Sequence, residues 1–287
     1  MSSVCVLTDS TAQLSKPTFP GRHLIKMIPM HVHVNHGTVD GDTDVKVTEL
    51  PISAREADLP ISTPPSVEEF KQTFLALGRE FNEIVVVLLS SQLSQAFANA
   101  QQAVTQVQGR VAVQLVDSQT TSVGLGYLAQ IAAEAAAGQA SLAEIERIIR
   151  GQIPHIYSVF CIPSLTYIDQ AGFIDYAQAM VGEMLGLLPI FTLEDGHLTP
   201  LEKARNLRHL TDFFQEFLDE FNDLYQIAMV QSNPTLAHEG KVLREHATLN
   251  FPKVPFSEHP INLSLAALFG PRSLGVFAIE IPNPKQK

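Results

Sequence analysis

Residues 84–89 read Ile-Val-Val-Val-Leu-Leu and run directly into Ser90-Ser91-Gln92-Leu93-Ser94. An unbroken aliphatic run of that length has no polar side to turn to water. It predicts a strand covered on both faces, the kind found inside a parallel sheet. The pattern recurs. Val4 to Leu7 leads into Thr8-Asp9-Ser10-Thr11, and Val111 to Val116 into Asp117-Ser118. Helical spacings lie between these runs. Val67 to Leu77 is apolar at Phe70, Phe74, Leu75 and Leu77, Gln92 to Val107 continues the theme, and Thr121 to Ala137 is a long small-residue helix ending at Gly138. Ser66 with Glu69, and Ser141 with Glu144 ahead of a helix to Ile149, have the spacing of capping boxes. Strands alternating with helices predict an α/β fold with a mainly parallel sheet.

Such a sheet binds ligands beyond the carboxyl ends of its strands, where helix N-termini favour anions. Two hydroxyl clusters, Thr8 to Thr11 and Ser90 to Ser94, fall at strand ends. A third, Ser62-Thr63-Pro64-Pro65-Ser66, leads into an amphipathic stretch. A hydroxyl donates one hydrogen bond, and bonds to an ionised acceptor are the stronger kind, so these clusters suit a carboxylate or phosphate. No general base stands beside them, which points to holding an anion rather than to cutting a bond.

Ile25 to Val34, in the first half, reads as one strand with an edge or bulge at Pro29. The second half has a different texture. Tyr157 to Ile162 is a strand, and Tyr167 to Met184 a helix broken at Gly172. Leu187 to Leu193 and His197 to Leu201 flank Asp195-Gly196, a strong hairpin signal. Lys203 to Phe221 reads as a long amphipathic helix, Tyr225 to Val230 as a strand, Pro234 to His246 as a helix and Gly275 to Ile281 as a strand. The change of texture near Ile153-Pro154 predicts two α/β domains, residues 1–153 and 154–287.

At 45% hydrophobic residues the chain can bury a substantial core, and its formal charge of −11 argues against nucleic acid and anionic membranes as general partners. No apolar run reaches the ~18–20 residues of a bilayer span, so stable membrane insertion is not expected. The first apolar run is short for a signal peptide and has no positive segment before it. Cys5 and Cys161 lie inside apolar strands, which argues against a disulfide scaffold or zinc site. A cytoplasmic location is the expectation.

Other chemistries find less support. There is no phosphate-binding G-x-x-x-x-G-K-[ST] loop and no G-x-S-x-G elbow. Gly124-Leu125-Gly126 reads as small residues for close helix packing. His31, His33 and His36 precede Asp40, Asp42 and Asp44, but a calcium loop there would place Val45 where glycine is needed and Pro51 where glutamate is needed. A polar edge strand and hairpin is the preferred reading, with no metal and no cofactor.

The same clusters resemble the DegV family of bacterial fatty-acid-binding proteins. Thr8-Asp9-Ser10-Thr11-Ala12 matches its T-D-S-T-A opening. Ser62-Thr63-Pro64-Pro65-Ser66 stands at T-S-Q-P-S, Ser90-Ser91-Gln92-Leu93-Ser94 at S-S-x-L-S, and Asp117-Ser118 with Gly124 and Gly126 at D-S…G-x-G. Leu165-Thr166-Tyr167-Ile168 with Gly172, Leu188-Pro189-Ile190, Asp195-Gly196, and Gly270-Pro271 with Leu274-Gly275 continue the match. The resemblance implies two α/β domains with a lipid-binding cleft between them. The N-terminal domain would carry the head-group site and the C-terminal domain would cover an acyl tunnel. It further implies a long-chain fatty acid whose carboxylate rests on Ser62, Thr63, Ser91 and Ser94, with Asp9 and Ser10 beneath. The family's protein is not itself the catalyst; it presents the acyl carboxyl to a separate fatty acid kinase.

The chain departs from that pattern where the charges belong. Phe173 stands at the family's Arg, Leu268 at its His, and Arg272 at a Gly. Phe173 and Leu268 would extend an apolar cavity, and Arg272 could replace the missing cation. Two further readings stay open. One is a degenerate member acting as an interaction partner. The other is a serine hydrolase using Ser90 or Ser91, which would need His31, His155 or His259 as base.

Overall fold

The computed structural model describes residues 4–34, 37–40, 46–54 and 57–282. His36, Asp42 and Asp44 of the histidine–aspartate stretch lie outside them. The chain divides into two compact units. The first is Met1–His31, Thr63–Pro154 and Asp195–His197; the second is Val32–Ser62, His155–Glu194 and Leu198–Lys287.

In the first unit, β1 (Val4–Asp9), β2 (Ile25–Ile28), β6 (Glu83–Leu88) and β7 (Ala112–Asp117) form a sheet in the order β2-β1-β6-β7. Every pairing is parallel, with Val6 opposite Ile25 and Val85, and Leu88 opposite Asp117. The aliphatic run from Ile84 to Leu89 is fully buried, as its lack of alternation requires. Helix α1 (Val67–Leu77) packs on α2 (Ala96–Val107), while α3 (Ser122–Ala137) and α4 (Leu142–Gln152) pack on the sheet. The capping boxes form: Ser66 accepts from the Glu69 N–H and Ser141 from the Glu144 N–H. Gly126 brings α3 against the Gln13 backbone so closely that a Cβ there would sit 2.0 Å from its carbonyl oxygen.

The second unit holds a mixed sheet of order β10-β9-β8-β13-β11-β12, built from β8 (Ile156–Cys161), β9 (Leu188–Glu194), β10 (His197–Ala204), β11 (Leu224–Gln231), β12 (Phe256–Pro260) and β13 (Leu274–Glu280). A small sheet joins β3 (His31–Val34), β4 (Gly37–Asp40) and β5 (Ile61–Thr63) in the order β4-β3-β5. One face of the large sheet presents Val159, Cys161, Ile190, Leu274 and Val276 to α7 (Leu207–Asp219) and α8 (Ala237–Asn250), through Leu210, Phe214, Leu218 and Leu243. Strand alternation sends Phe160 and Phe277 to the other face. There their rings meet edge-on, and Phe160 also meets Phe269 of α9 (Leu263–Phe269). Helices α5 (Leu165–Gln170) and α6 (Tyr176–Met184) complete the unit.

Three local expectations change, and two elements had none. The run from Ile25 to Val34 is two strands in two sheets, parted at Pro29-Met30, where the Met30 N–H turns to the Ser10 hydroxyl at 2.8 Å. The helix expected from Gln92 begins at Ala96, because Ser90 to Gln95 fold into turns held by side chains. The helix expected from Lys203 begins at Leu207: β10 continues to Ala204, and Asn206 caps the helix by accepting from the His209 N–H at 2.9 Å. Strand β12 and helix α9 were not legible, the first too polar and the second a short apolar run without period. Gly172 does break the helix as expected. It sits at φ 82°, with the Phe173 N–H donating back to the Ile168 carbonyl, a glycine-terminated helix end. Asp195 and Gly196, at φ 48° and 82°, make the predicted hairpin turn.

Candidate functional site

The carboxyl ends of β1, β6 and β7 lie side by side, and two buried or half-buried carboxylates tie them together. Asp9 is fully buried. One of its oxygens accepts from the Leu89 N–H at 2.7 Å, joining the ends of β1 and β6; the other accepts from the Thr11 N–H at 2.9 Å and the Thr11 hydroxyl at 2.5 Å. Burial pushes the Asp9 carboxyl above the usual carboxylate range, against the pull of those donors. Asp117 does the same work one strand over, its Oδ1 accepting from the Ser91 and Gln119 N–H groups at 3.1 Å each.

The hydroxyls at this edge fall into two groups. Ser90, Ser118 and Ser10 serve the scaffold. Ser90 is buried and donates to the Gly196 carbonyl at 2.8 Å while accepting from the Gln92 N–H. Ser118 donates to the Thr120 carbonyl at 3.0 Å, and Ser10 accepts from Met30. Ser91 and Ser94 differ. Both are half-buried. Ser91 Oγ accepts from the Gln92 side-chain amide at 3.4 Å, and Ser94 Oγ from the Ala96 N–H at 3.2 Å. Among the described residues neither passes its own proton to an acceptor. Thr63 is also half-buried, and the segment it opens is fastened to α2 by the Asn99 side-chain amide donating to the Pro65 carbonyl at 2.9 Å. So Asp9, Ser10, Ser91 and Ser94 share one sheet edge, and Thr63 leads into the segment anchored beside α2.

The remaining predicted residues lie in the second unit. Ser62 is half-buried on β5. Phe173 is half-buried just after the Gly172 turn, and Leu268 is buried within α9. Neither supplies a charge. Arg272 is exposed, follows Gly270 (φ 88°) and borders two cavities, one of about 270 Å³ with Ser53, Ser164 and Glu183 and one of about 290 Å³ with Leu188, Leu207 and Leu274. It has no hydrogen-bond or ion-pair partner among the described residues.

Among the described residues none of the candidate bases is hydrogen-bonded to Ser90 or Ser91. His31 pairs with Glu69 at 2.8 Å, His155 lies 3.8 Å from Glu280, and His259 Nε2 is 3.1 Å from Ser257 Oγ. Burial lowers the His259 pKa and pushes the Cys5 and Cys161 thiols up to about 12. Among the described residues no group of three or more His, Cys, Asp or Glu side chains is placed to hold a metal ion. No described helix is long and apolar enough to cross a membrane. Sequence reasoning missed the role of Gly196, whose carbonyl receives the Ser90 hydroxyl. The hairpin signal located the turn but not its partner.

The chain is similar to known proteins in sequence and in fold. The sequence profile described as "uncharacterised protein, DegV family" matches residues 3–280. A DegV domain-containing protein of Staphylococcus aureus is 29% identical over 231 residues, 80% of this chain and 81% of that one. A DegV family protein of Thermus thermophilus, whose structure is described by its fatty-acid binding, superposes with a TM-score of 0.81 at 21% identity, covering 97% of this chain and all of that one. The fatty acid kinase B3 protein of Streptococcus pneumoniae, solved loaded with linoleic acid, gives 0.83 at 16% identity, covering 98% of this chain and all of that one.

Proposed function

The chain belongs to the DegV family, and on that premise we propose that it binds a long-chain fatty acid, resting the carboxylate on Ser62, Thr63, Ser91 and Ser94, and presents it to a separate acyl kinase. One observation carries the head-group assignment. Ser91 and Ser94 accept hydrogen bonds from the protein but keep their own protons to give. A carboxylate is the acceptor that uses two such protons best, because an O–H donated to an ionised oxygen makes a short, strong bond. The neighbouring Ser90 and Ser118 donate within the protein instead, so the edge separates scaffold hydroxyls from ligand hydroxyls. The fatty acids described for the Thermus and Streptococcus relatives support the ligand class.

The test is the affinity of the lipid-stripped chain for oleate. A hydrogen bond to a charged group contributes about 1.5–3 kcal/mol, so Ser91→Ala and Ser94→Ala should each weaken binding roughly tenfold or more. Unchanged affinity in both would move the head group elsewhere.

A second reading keeps the lipid and drops the transfer. Phe173 and Leu268 occupy the positions of the family's Arg and His, so the carboxylate lacks two partners that would hold it ionised. On that reading the chain stores or senses a fatty acid and works through contact with another protein. Acyl phosphate formation by a kinase in the presence of this chain separates the two.

A further inference from the structure

We infer that the second unit carries a docking surface for a basic, apolar-faced segment of another protein, built from Tyr157, Phe217 and Phe221 within a rim of carboxylates. The inference uses no residue of the hydroxyl edge and does not depend on a bound lipid.

Helix α7 presents two rows of large apolar side chains at helical spacing. Leu210, Phe214 and Leu218 are buried in the core against the large sheet. Phe213, Phe217 and, just past the helix end, Phe221 form a second row that leans on that core and stays half-buried. Tyr157, near the start of β8, extends this row. It is 38% exposed, and its ring lies 4.9 Å from that of Phe221, which meets Phe217 edge-on at 5.2 Å. Contiguous exposed apolar surface with a polar rim marks an interaction site, where scattered apolar residues do not. The shelf lies far from the Gly270–Arg272 turn. Ile156 pairs with Ile279 at this end of β8 and β13, and Cys161 with Leu274 at the other, about 17 Å away along the strands.

The rim decides what the shelf takes. Asp212, Glu216, Asp219, Glu220 and Asp223 are all exposed, and residues 210–224 contain no Lys or Arg. Asp219 pairs with His246 at 2.8 Å. The other four have no ion-pair partner among the described residues. Their placement runs against the helix dipole. The carboxyl end of a helix favours cations, yet Glu216, Asp219 and Glu220 stand there, while Arg208 stands in the first turn. Charge that is unfavourable in the free chain becomes favourable once a cation is brought to it, and local rules are broken where function requires it. Ring faces attract Lys and Arg as well as apolar groups. The same carboxylates repel an anionic membrane surface. The occupant that fits is a protein segment with Arg or Lys flanking Leu or aromatic residues.

The full-length chain as purified supplies the test. It has no tryptophan, so a tryptophan in the probe reports binding alone. The probes are two synthetic helical peptides of equal charge. One carries Trp and Leu on one face with Arg on the flanks; the other has Gln in place of Leu. The Leu peptide should bind roughly tenfold more tightly than the Gln peptide. Phe217→Gln with Phe221→Gln should weaken it about tenfold, the effect of losing central aromatic contacts. Tyr157→Ser reads the sheet side of the shelf independently, should the Phe pair disturb the core, and should weaken it severalfold. Glu216→Lys with Glu220→Lys, both at exposed positions, should abolish binding. Asp58→Lys with Glu80→Lys, also exposed, makes the same change in net charge and should leave it unchanged. The inference fails if the two peptides bind alike, if neither aromatic variant has an effect, or if both lysine pairs weaken binding equally, which would reduce it to general attraction by an acidic chain. Binding to neutral phosphatidylcholine vesicles that depends on Phe217 and Phe221, with neither peptide bound, would assign the shelf to lipid and overturn it as well. Oleate affinity, read through Ser91 and Ser94, reports on the proposed function separately.

Discussion

Replacing Asp9 by Asn tests whether the floor of the hydroxyl edge is held by hydrogen bonding or merely tolerates a buried charge. The side chain is fully buried and accepts three hydrogen bonds, two of them from backbone N–H groups. Asn keeps the shape but offers one carbonyl oxygen. With that oxygen on Thr11, its amide faces the Leu89 N–H, donor against donor. Leaving one buried N–H unsatisfied costs about 1–3 kcal/mol. Asp9→Ala strands both N–H groups and should cost about 2–6 kcal/mol on the same basis. The opposing effect is desolvation, which raises the carboxyl pKa and would be relieved by a neutral isostere. Urea unfolding at pH 7 decides between them: the order wild type, Asn, Ala in falling stability is predicted. Asn equal to or more stable than wild type would refute the reasoning. The pH dependence follows from the raised pKa. As pH falls, the folded chain takes up this proton before the unfolded chain does. The Asp9 contribution therefore grows as pH falls through the folded value and is complete below the unfolded value of about 3.9.

Other consequences can be measured on the same footing. Gly126→Ala should destabilise by about 1–3 kcal/mol through overpacking, since its Cβ would meet the Gln13 backbone, whereas Gly151→Ala, with open space around it inside α4, should stabilise by about 0.5–1 kcal/mol; urea midpoints of the two variants should move in opposite directions. Ser66→Ala should lose about 1 kcal/mol of cap energy, read as a lower melting temperature. The Ser66 hydroxyl and N–H, then His31, hold Glu69 below the usual carboxylate range, so its contribution is present above the unfolded value of about 4.3 and lost as pH falls through the folded value. The stability gap between wild type and Glu69→Gln should accordingly close on acidification.

The sequence disclosed the first unit far better than the second, and the physics explains why. An aliphatic run such as Ile84 to Leu89 can be buried only inside a sheet, and Ser66 with Glu69 announces its helix through local bonds. Both signals lie within a few neighbouring residues. The hydroxyl clusters were visible for the same reason. Their division into scaffold and ligand groups was not, because it depends on partners far along the chain: Gly196 for Ser90, Met30 for Ser10, Leu89 for Asp9. In the second unit β10 overran the predicted helix start because Lys203 and Ala204 fit either an amphipathic helix or an edge strand, and only the Asn206 cap settles it. The setting of Arg272 was out of reach altogether. Its neighbours Ser164, Leu188 and Leu207 come from three separate stretches of chain, and no spacing rule links them.

The central claim is that this chain holds a fatty acid, and the most direct measurement is native mass spectrometry of the protein purified from the cells that make it, followed by lipid extraction. The account predicts one long-chain fatty acid per chain, displaced by added oleate and lost when Ser91 and Ser94 are both replaced by Ala. A bare chain mass, together with no uptake of oleate or palmitate, would contradict it.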